Sequence, residues 1–143
     1  MKKSNKGIYR PSNPKKYVGD PNRIIYRSHL ERKFMLYCDR NEDIVNWASE
    51  ELSISYFNPI DKKWHKYYPD FILKTSKGKK YMIEVKPYRQ LSKPKAPKKK
   101  TKAFMRESFE YIKNVAKWNA AKSYCSDNNI EFKFMTEKDL GTY

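Results

Sequence analysis

The chain has 143 residues, 38% hydrophobic and 15% aromatic, enough for one domain with a core of its own. A formal net charge of +16 on so small a chain implies a polyanionic partner, nucleic acid in the simplest case, rather than a merely solvated basic surface. No membrane span and no signal peptide is legible, since the basic N-terminus is followed by no apolar run.

The charge is unevenly distributed. Residues 1 to 27 hold eight Lys or Arg and one Asp, and residues 89 to 102 hold seven and no acid, so these two stretches supply +14 of the total. A nearly neutral globular domain with two basic appendages is expected. Cys38 and Cys125 fall in apolar helical patterns without metal-ligand spacing, which predicts buried thiols in a reducing compartment.

Residues 1 to 26 lack periodicity and contain Pro11, Pro14 and Pro21, so an irregular basic arm is expected, ahead of a single domain over residues 27 to 143. Tyr9, Tyr17 and Tyr26 alternate with Lys and Arg there, Lys15 and Lys16 among them. Such a mixture either stacks on bases while cations hold phosphates, or packs its tyrosines on the domain. A helix is predicted to start near Ser28, with Leu30, Phe34, Tyr37 and Cys38 on one stripe and Ser28–Glu31 as a capping box. His29 beside it is either a phosphate contact or a plain surface residue.

Ile44, Val45 and Trp47 supply core volume, and Leu52, Ile54 and Tyr56 alternate as a strand should. After a turn around Pro59, Trp64 to Leu73 reads as a strand carrying Asp70. Ser76-Lys77-Gly78 is a second turn, and Tyr81 to Val85 a further strand carrying Glu84. The loop from Lys93 to Lys100 contains Pro94 and Pro97, which forbid regular helix. Lys102 to Asp127 is predicted helical, with Met105, Phe109, Ile112, Ala116 and Ala120 as its apolar stripe. Ile130, Phe132 and Phe134 form a last strand. The fold class is therefore α/β, with a mixed sheet of about four strands flanked by helices.

The chemistry is concentrated between Tyr67 and Pro87. A carboxylate within an apolar strand is costly unless its charge is compensated. Asp70 and Glu84 are two such acids, and pairing of their strands would set them side by side. Glu84 and Lys86 lie two apart and leave the same strand face, while Val85 points toward a core. Two carboxylates and the Val85 carbonyl suit Mg²⁺, a hard cation that prefers oxygen ligands. Lys86 would orient a water or steady a phosphate. The loop bearing Lys93, Lys95, Lys98, Lys99 and Lys100 leaves directly from this strand and is placed to grip a DNA backbone.

Pro69-Asp70 and Glu84-Val85-Lys86, with thirteen residues between the acids, resemble the PD-(D/E)xK nuclease motif. The helix–strand–strand–strand–helix–strand order is similar to the core of restriction-endonuclease-like folds. Ser28 and Glu31, Tyr68-Pro69-Asp70-Phe71, Glu84-Val85-Lys86-Pro87 and the Ala116–Cys125 stretch A-K-W-x-A-A-x-x-Y-C resemble the head completion nucleases of T4-like bacteriophages. The same core also resembles the endonuclease subunit of Tn7-type transposition. The resemblance implies Mg²⁺-dependent hydrolysis of DNA phosphodiesters, with Mn²⁺ expected to substitute. It implies Asp70, Glu84, Lys86 and Glu31 as catalytic residues, Glu31 being the third acid that many such nucleases place on an early helix. Gln90 would be an added polar contact.

The phage resemblance further implies a role after DNA packaging, trimming DNA ends before tail joining. Portal or head-neck proteins would then be partners, in the cytoplasm of the bacterial host or in the virion, and a homodimer on DNA would serve double-strand cutting. The alternatives are a non-catalytic DNA-binding component of the portal vertex, a transposition- or resolvase-type endonuclease, or an RNA-binding role for the tyrosine-rich arm.

Overall fold

A computed structural model describes residues 6–141; the first five residues of the expected arm and the last two of the chain lie outside the described residues. Strands β1 (Gly7–Tyr9) and β2 (Ile24–Tyr26) precede helix α1 (His29–Arg40). Five strands follow: β3 (Ile44–Ser49), β4 (Ile54–Asn58), β5 (Lys63–Tyr67), β6 (Phe71–Thr75) and β7 (Lys80–Val85). Helix α2 (Lys102–Asp127), strand β8 (Glu131–Met135) and the short α3 (Glu137–Leu140) complete the chain, and single 3₁₀ turns stand at Pro14–Lys16 and Tyr88–Leu91.

The central sheet is mixed, in the order β3-β6-β7-β8. β6 runs antiparallel to both β3 and β7, while β8 lies parallel to β7 after the α2 crossover. This is the expected α/β architecture with four strands in the main sheet, consistent with a restriction-endonuclease-like fold. Alternation along the strands divides the interior in two. Phe71, Leu73, Ile83 and Val85 pack with Phe34, Met35 and Cys38 of α1 and with Trp47. On the opposite face Met82 meets Ala121 and Cys125 of α2, together with Ile54, Tyr56 and Tyr67. Both cysteines are buried and unpaired, as their apolar context predicts.

Two strand assignments differ from expectation. Ile44–Ser49 is a full strand, β3, and not only core volume. A register shift between Ile44 and Asn46 interrupts its alternation, so Ile44 and Trp47, three apart, are both buried and the period-two signal is lost. The continuous strand expected from Trp64 to Leu73 is two strands. β5 ends at Tyr67, paired with β4 in a separate ribbon, and β6 begins at Phe71 in the main sheet. The break falls at Tyr68-Pro69-Asp70, where the proline has no amide hydrogen to donate to a ladder.

The expected irregular arm is, from Gly7 on, built into the core. β1 pairs with β2, and Tyr17 bridges to Trp47 on the free edge of β3. Tyr9, Tyr17 and Ile24 are buried, and both tyrosine rings meet Trp47 edge-on. Burying each such ring is worth about 2 kcal/mol, which a free arm would forgo. Of the two readings of these tyrosines, packing holds for Tyr9 and Tyr17. Helix α2 spans the residues expected, but its buried face is Asn114, Trp118, Ala121 and Cys125. Met105, Phe109 and Ile112 stand exposed on its first half.

Candidate active site

One cross-strand row organises the site. Ser49 of β3 lies opposite Phe71, and Phe71 lies opposite Ile83 of β7. The next residues along this row are Glu50, Asp70 and Glu84. The Glu50 amide donates to the Asp70 carbonyl at 3.2 Å, extending the β3–β6 ladder by one step. The Val85 amide donates to Asp70 Oδ2 at 2.8 Å, tying that carboxylate to the end of β7. The start of α1 adds Glu31 from the other layer.

Helix α1 begins as its sequence directs. The Ser28 hydroxyl accepts from the Glu31 amide at 3.1 Å, an N-cap. The Glu31 carboxylate reaches back, but to the Arg27 amide (2.7 Å) rather than to the Ser28 amide of a capping box. Capping and membership of the site are therefore not exclusive: one oxygen accepts from Arg27, and a carboxylate oxygen of each of Glu31, Glu50 and Asp70 falls within 4.8 Å of the other two.

Glu50 was not legible beforehand. It follows β3, the strand whose alternation is broken, and no motif distinguishes it from Glu51. The structure separates them: Glu51 accepts from the Tyr17 hydroxyl at 3.2 Å, while Glu50 joins the cluster. Glu50 does so from a left-handed backbone, φ 54°, a conformation costing a non-glycine residue on the order of 1 kcal/mol. The Arg27 guanidinium holds Glu50 with two bonds of 3.2 Å, so one residue engages two of the three acids through backbone and side chain.

Glu84 is buried on the α2 side of the sheet and accepts a hydrogen bond from the Tyr67 hydroxyl at the end of β5. Burial is the main cause that raises the Asp70 carboxyl well above the usual range, and the charges of Glu84 and Glu31 add to it. Burial likewise raises Glu84, against the opposing pull of Tyr67, Lys86 and Lys117, and raises Glu31, against the Arg27 amide. Lys86 therefore acts on both Asp70 and Glu84. Lys117 of α2 stands over the Tyr56 and Tyr67 rings, and its ammonium is lowered by burial and by Lys113 and Lys86. Tyr67 and Lys117, like Glu50, went unnoticed in the sequence.

Residues 41–137 match the family of TnsA-like endonuclease N-terminal domains. The chain belongs to this endonuclease family. It is also similar to a protein named "Head completion nuclease" of Enterobacteria phage T4, with 37% identity over 138 residues, covering 94% of this chain and 92% of that protein. The protein is accordingly a nuclease, and the acidic row at the sheet's end lies within the matched endonuclease region, apart from Glu31.

The donor set of this nuclease fits the divalent cation that its family implies. Three carboxylates gathered within 4.8 Å offer hard oxygen donors, and burial disfavours the charged forms of Glu31 and Asp70 until a cation balances them. Glu84 and the Val85 carbonyl, expected as ligands together with Asp70 and Glu31, adjoin this cluster through the Asp70–Val85 bond.

The basic residues divide. Lys93, Lys95, Lys98, Lys99 and Lys100 are exposed along the loop after the Tyr88–Leu91 turn, and Lys15 is exposed as well. A cleft of about 290 Å³ opens where this loop meets α2, lined by Lys86, Arg89, Gln90, Arg106 and Asn114 among others. Lys16, expected to contact DNA, has another task. Its ammonium donates to the carbonyls of Cys38 (2.7 Å), Asp39 (3.0 Å) and Asn41 (2.8 Å), which uses all three of its protons on the C-terminal end of α1. His65 bonds Asp61 at 2.6 Å.

Proposed function

We propose that the protein is a divalent-metal-dependent endodeoxyribonuclease that hydrolyses phosphodiesters at the ends of a phage genome during head completion. The observation that carries the reading is the convergence of Glu31, Glu50 and Asp70 beside Glu84 and Lys86 at one end of the sheet. In this reading Glu31, Glu50 and Asp70 hold Mg²⁺, or Mn²⁺ in its place, with Glu84 and the Val85 carbonyl as further oxygen donors. When bound, the cation supplies Lewis acidity toward the phosphate and lowers the pKa of water.

The chain's own groups do the rest. Lys86 presents an ammonium beside both acids, where it holds the phosphate or orients the attacking water. Tyr67 fixes the Glu84 carboxylate in position, and the Asp70 carboxylate is fixed by the Val85 amide. Arg27 neutralises Glu50 and steadies Glu31. Lys93, Lys95, Lys98, Lys99 and Lys100 hold the DNA backbone leaving the cleft, so binding falls steeply with salt. Trimming of DNA ends before tail joining is supported by the similarity to the phage T4 nuclease; proteins of the head-neck junction would be its partners.

The test is cleavage of linear and circular DNA with Mg²⁺ by the natural protein and by Asp70→Ala, Glu50→Gln and Lys86→Ala. Each variant is expected to lose at least about a thousandfold in rate, the several kcal/mol that metal-assisted chemistry is worth. Full activity in all three would end this assignment.

A further inference from the structure

We propose that the outer face of the β4–β5 ribbon binds unpaired nucleotides of a DNA end and presents the adjoining phosphate to the acidic row; the inference rests on the nuclease reading and names the form of its substrate. The ribbon alternates cleanly. Ile54, Tyr56 and Tyr67 turn inward and are buried against α2. Phe57 lies opposite Trp64 and Ser55 opposite Lys66, and these turn outward. Trp64 is 70% exposed and Phe57 45%, their rings meeting edge to face with centroids 5.7 Å apart. Tyr68, one step past the strand's end, is 49% exposed.

Exposed aromatics alone would fit a protein partner as well as a nucleic acid. The charge decides between them. Lys66 lies on the same outer face as Trp64, and Lys62 is exposed in the turn that joins the two strands, whereas lysine is depleted from the core of protein–protein interfaces. The acid of the turn, Asp61, is taken up by His65 and by the Lys63 amide. Ring faces interleaved with ammonium groups suit a single strand, whose bases stack while its phosphates meet the cations. Paired bases within a duplex keep their faces covered by their neighbours, so the body of a duplex offers these rings nothing to stack on.

The position favours an end-directed role. Tyr67, the last residue of β5, touches the catalytic Glu84 through its hydroxyl, and Asp70 follows three residues later. Bases held on Trp64 and Tyr68 are thereby joined through a few chain atoms to the site of cutting, and a frayed or single-stranded end gains affinity that a blunt duplex does not.

Trp64 also supplies the readout, because Trp47 and Trp118 are buried. Without divalent metal, where no cutting occurs, an oligothymidylate strand and a blunt two-stranded duplex with as many phosphates are titrated while tryptophan emission is followed. The single strand is expected to quench the emission. Trp64→Ala should remove the quench and weaken single-strand binding by about five- to a hundredfold relative to the duplex. Trp64→Phe, which keeps a ring, should stay within about threefold of the natural chain. No quenching, equal losses for single strand and duplex, or unchanged binding in Trp64→Ala would overturn the proposal, the last assigning this face to a protein. Failure of the nuclease reading would appear separately, as absence of cutting by the natural chain when Mg²⁺ is supplied.

Discussion

Asp39 and Asp70 meet the same problem, a carboxylate withdrawn from water, in opposite ways. Asp39 is fully buried but receives the Tyr9 hydroxyl (2.7 Å), the Ser12 amide (2.7 Å) and the Asn13 amide (2.9 Å). Burial would raise its pKa, yet these donors outweigh burial and hold the carboxyl below its usual value. Asp70 receives one amide and faces other acids, and its pKa goes up. The chain completes the first site with its own groups, so that site fastens the N-terminal segment to α1. It leaves the second in want of positive charge, and that want is what a metal-dependent site requires.

The sharpest break of the comparison is at Asp39. Asp39→Ala leaves three donors without their acceptor and should cost about 3 kcal/mol of stability, read as a lower urea midpoint with unchanged slope. An Asp39→Ala chain as stable as the natural one would mean that the N-terminal segment is not anchored there. Tyr67→Phe comes next. It removes the hydroxyl donated to Glu84, and outer-shell losses of this kind typically reduce activity or metal affinity about ten- to a hundredfold. Mg²⁺-supported cleavage rates check this, and an unaltered rate would leave Tyr67 a packing residue.

The smallest effect is in pH dependence, where the two sites should differ in sign. The Asp39 pKa is lowered on folding, so its contribution is present above the ordinary carboxylate value of about 4 and is lost as pH falls through the folded value. The pKa values of Glu31, Asp70 and Glu84 are raised. Their contribution is present below about pH 4 and is lost as pH rises through their folded values. In the metal-free protein Asp70→Asn should therefore be more stable than the natural chain at pH 8, by on the order of 1 kcal/mol. The gap should close toward pH 4, as thermal melts across that range would show. A natural chain that is the more stable of the two at pH 8 would contradict the assignment of cost to these acids.

The sequence carried the site's strongest members because their signals are local. Asp70 follows a proline, Glu84 and Lys86 share a strand face, and Glu31 sits three residues after an N-cap serine. Helix α2 was legible to its ends because neither Pro nor Gly interrupts it. What stayed hidden depends on contacts between distant segments. Glu50 enters the site only through the pairing of β3 with β6, and the bulge in β3 masks that strand's periodicity. Tyr9, Tyr17 and Lys16 read as a basic aromatic arm because nothing local reveals that Trp47, Asp39 and the end of α1 receive them. The exposed first half of α2 misled in the same way, since an apolar stripe does not state whether anything covers it.

The most direct test of the central claim is Mn²⁺ binding, measured by calorimetry on the natural chain and on Glu50→Gln, Asp70→Asn and Asp39→Asn at a temperature where all four are folded. The natural chain and Asp39→Asn should both bind, and binding should be lost in both Glu50→Gln and Asp70→Asn. Binding by Glu50→Gln as tight as that of the natural chain would contradict that claim, by showing that the cluster at the end of the sheet is not where the cation is held.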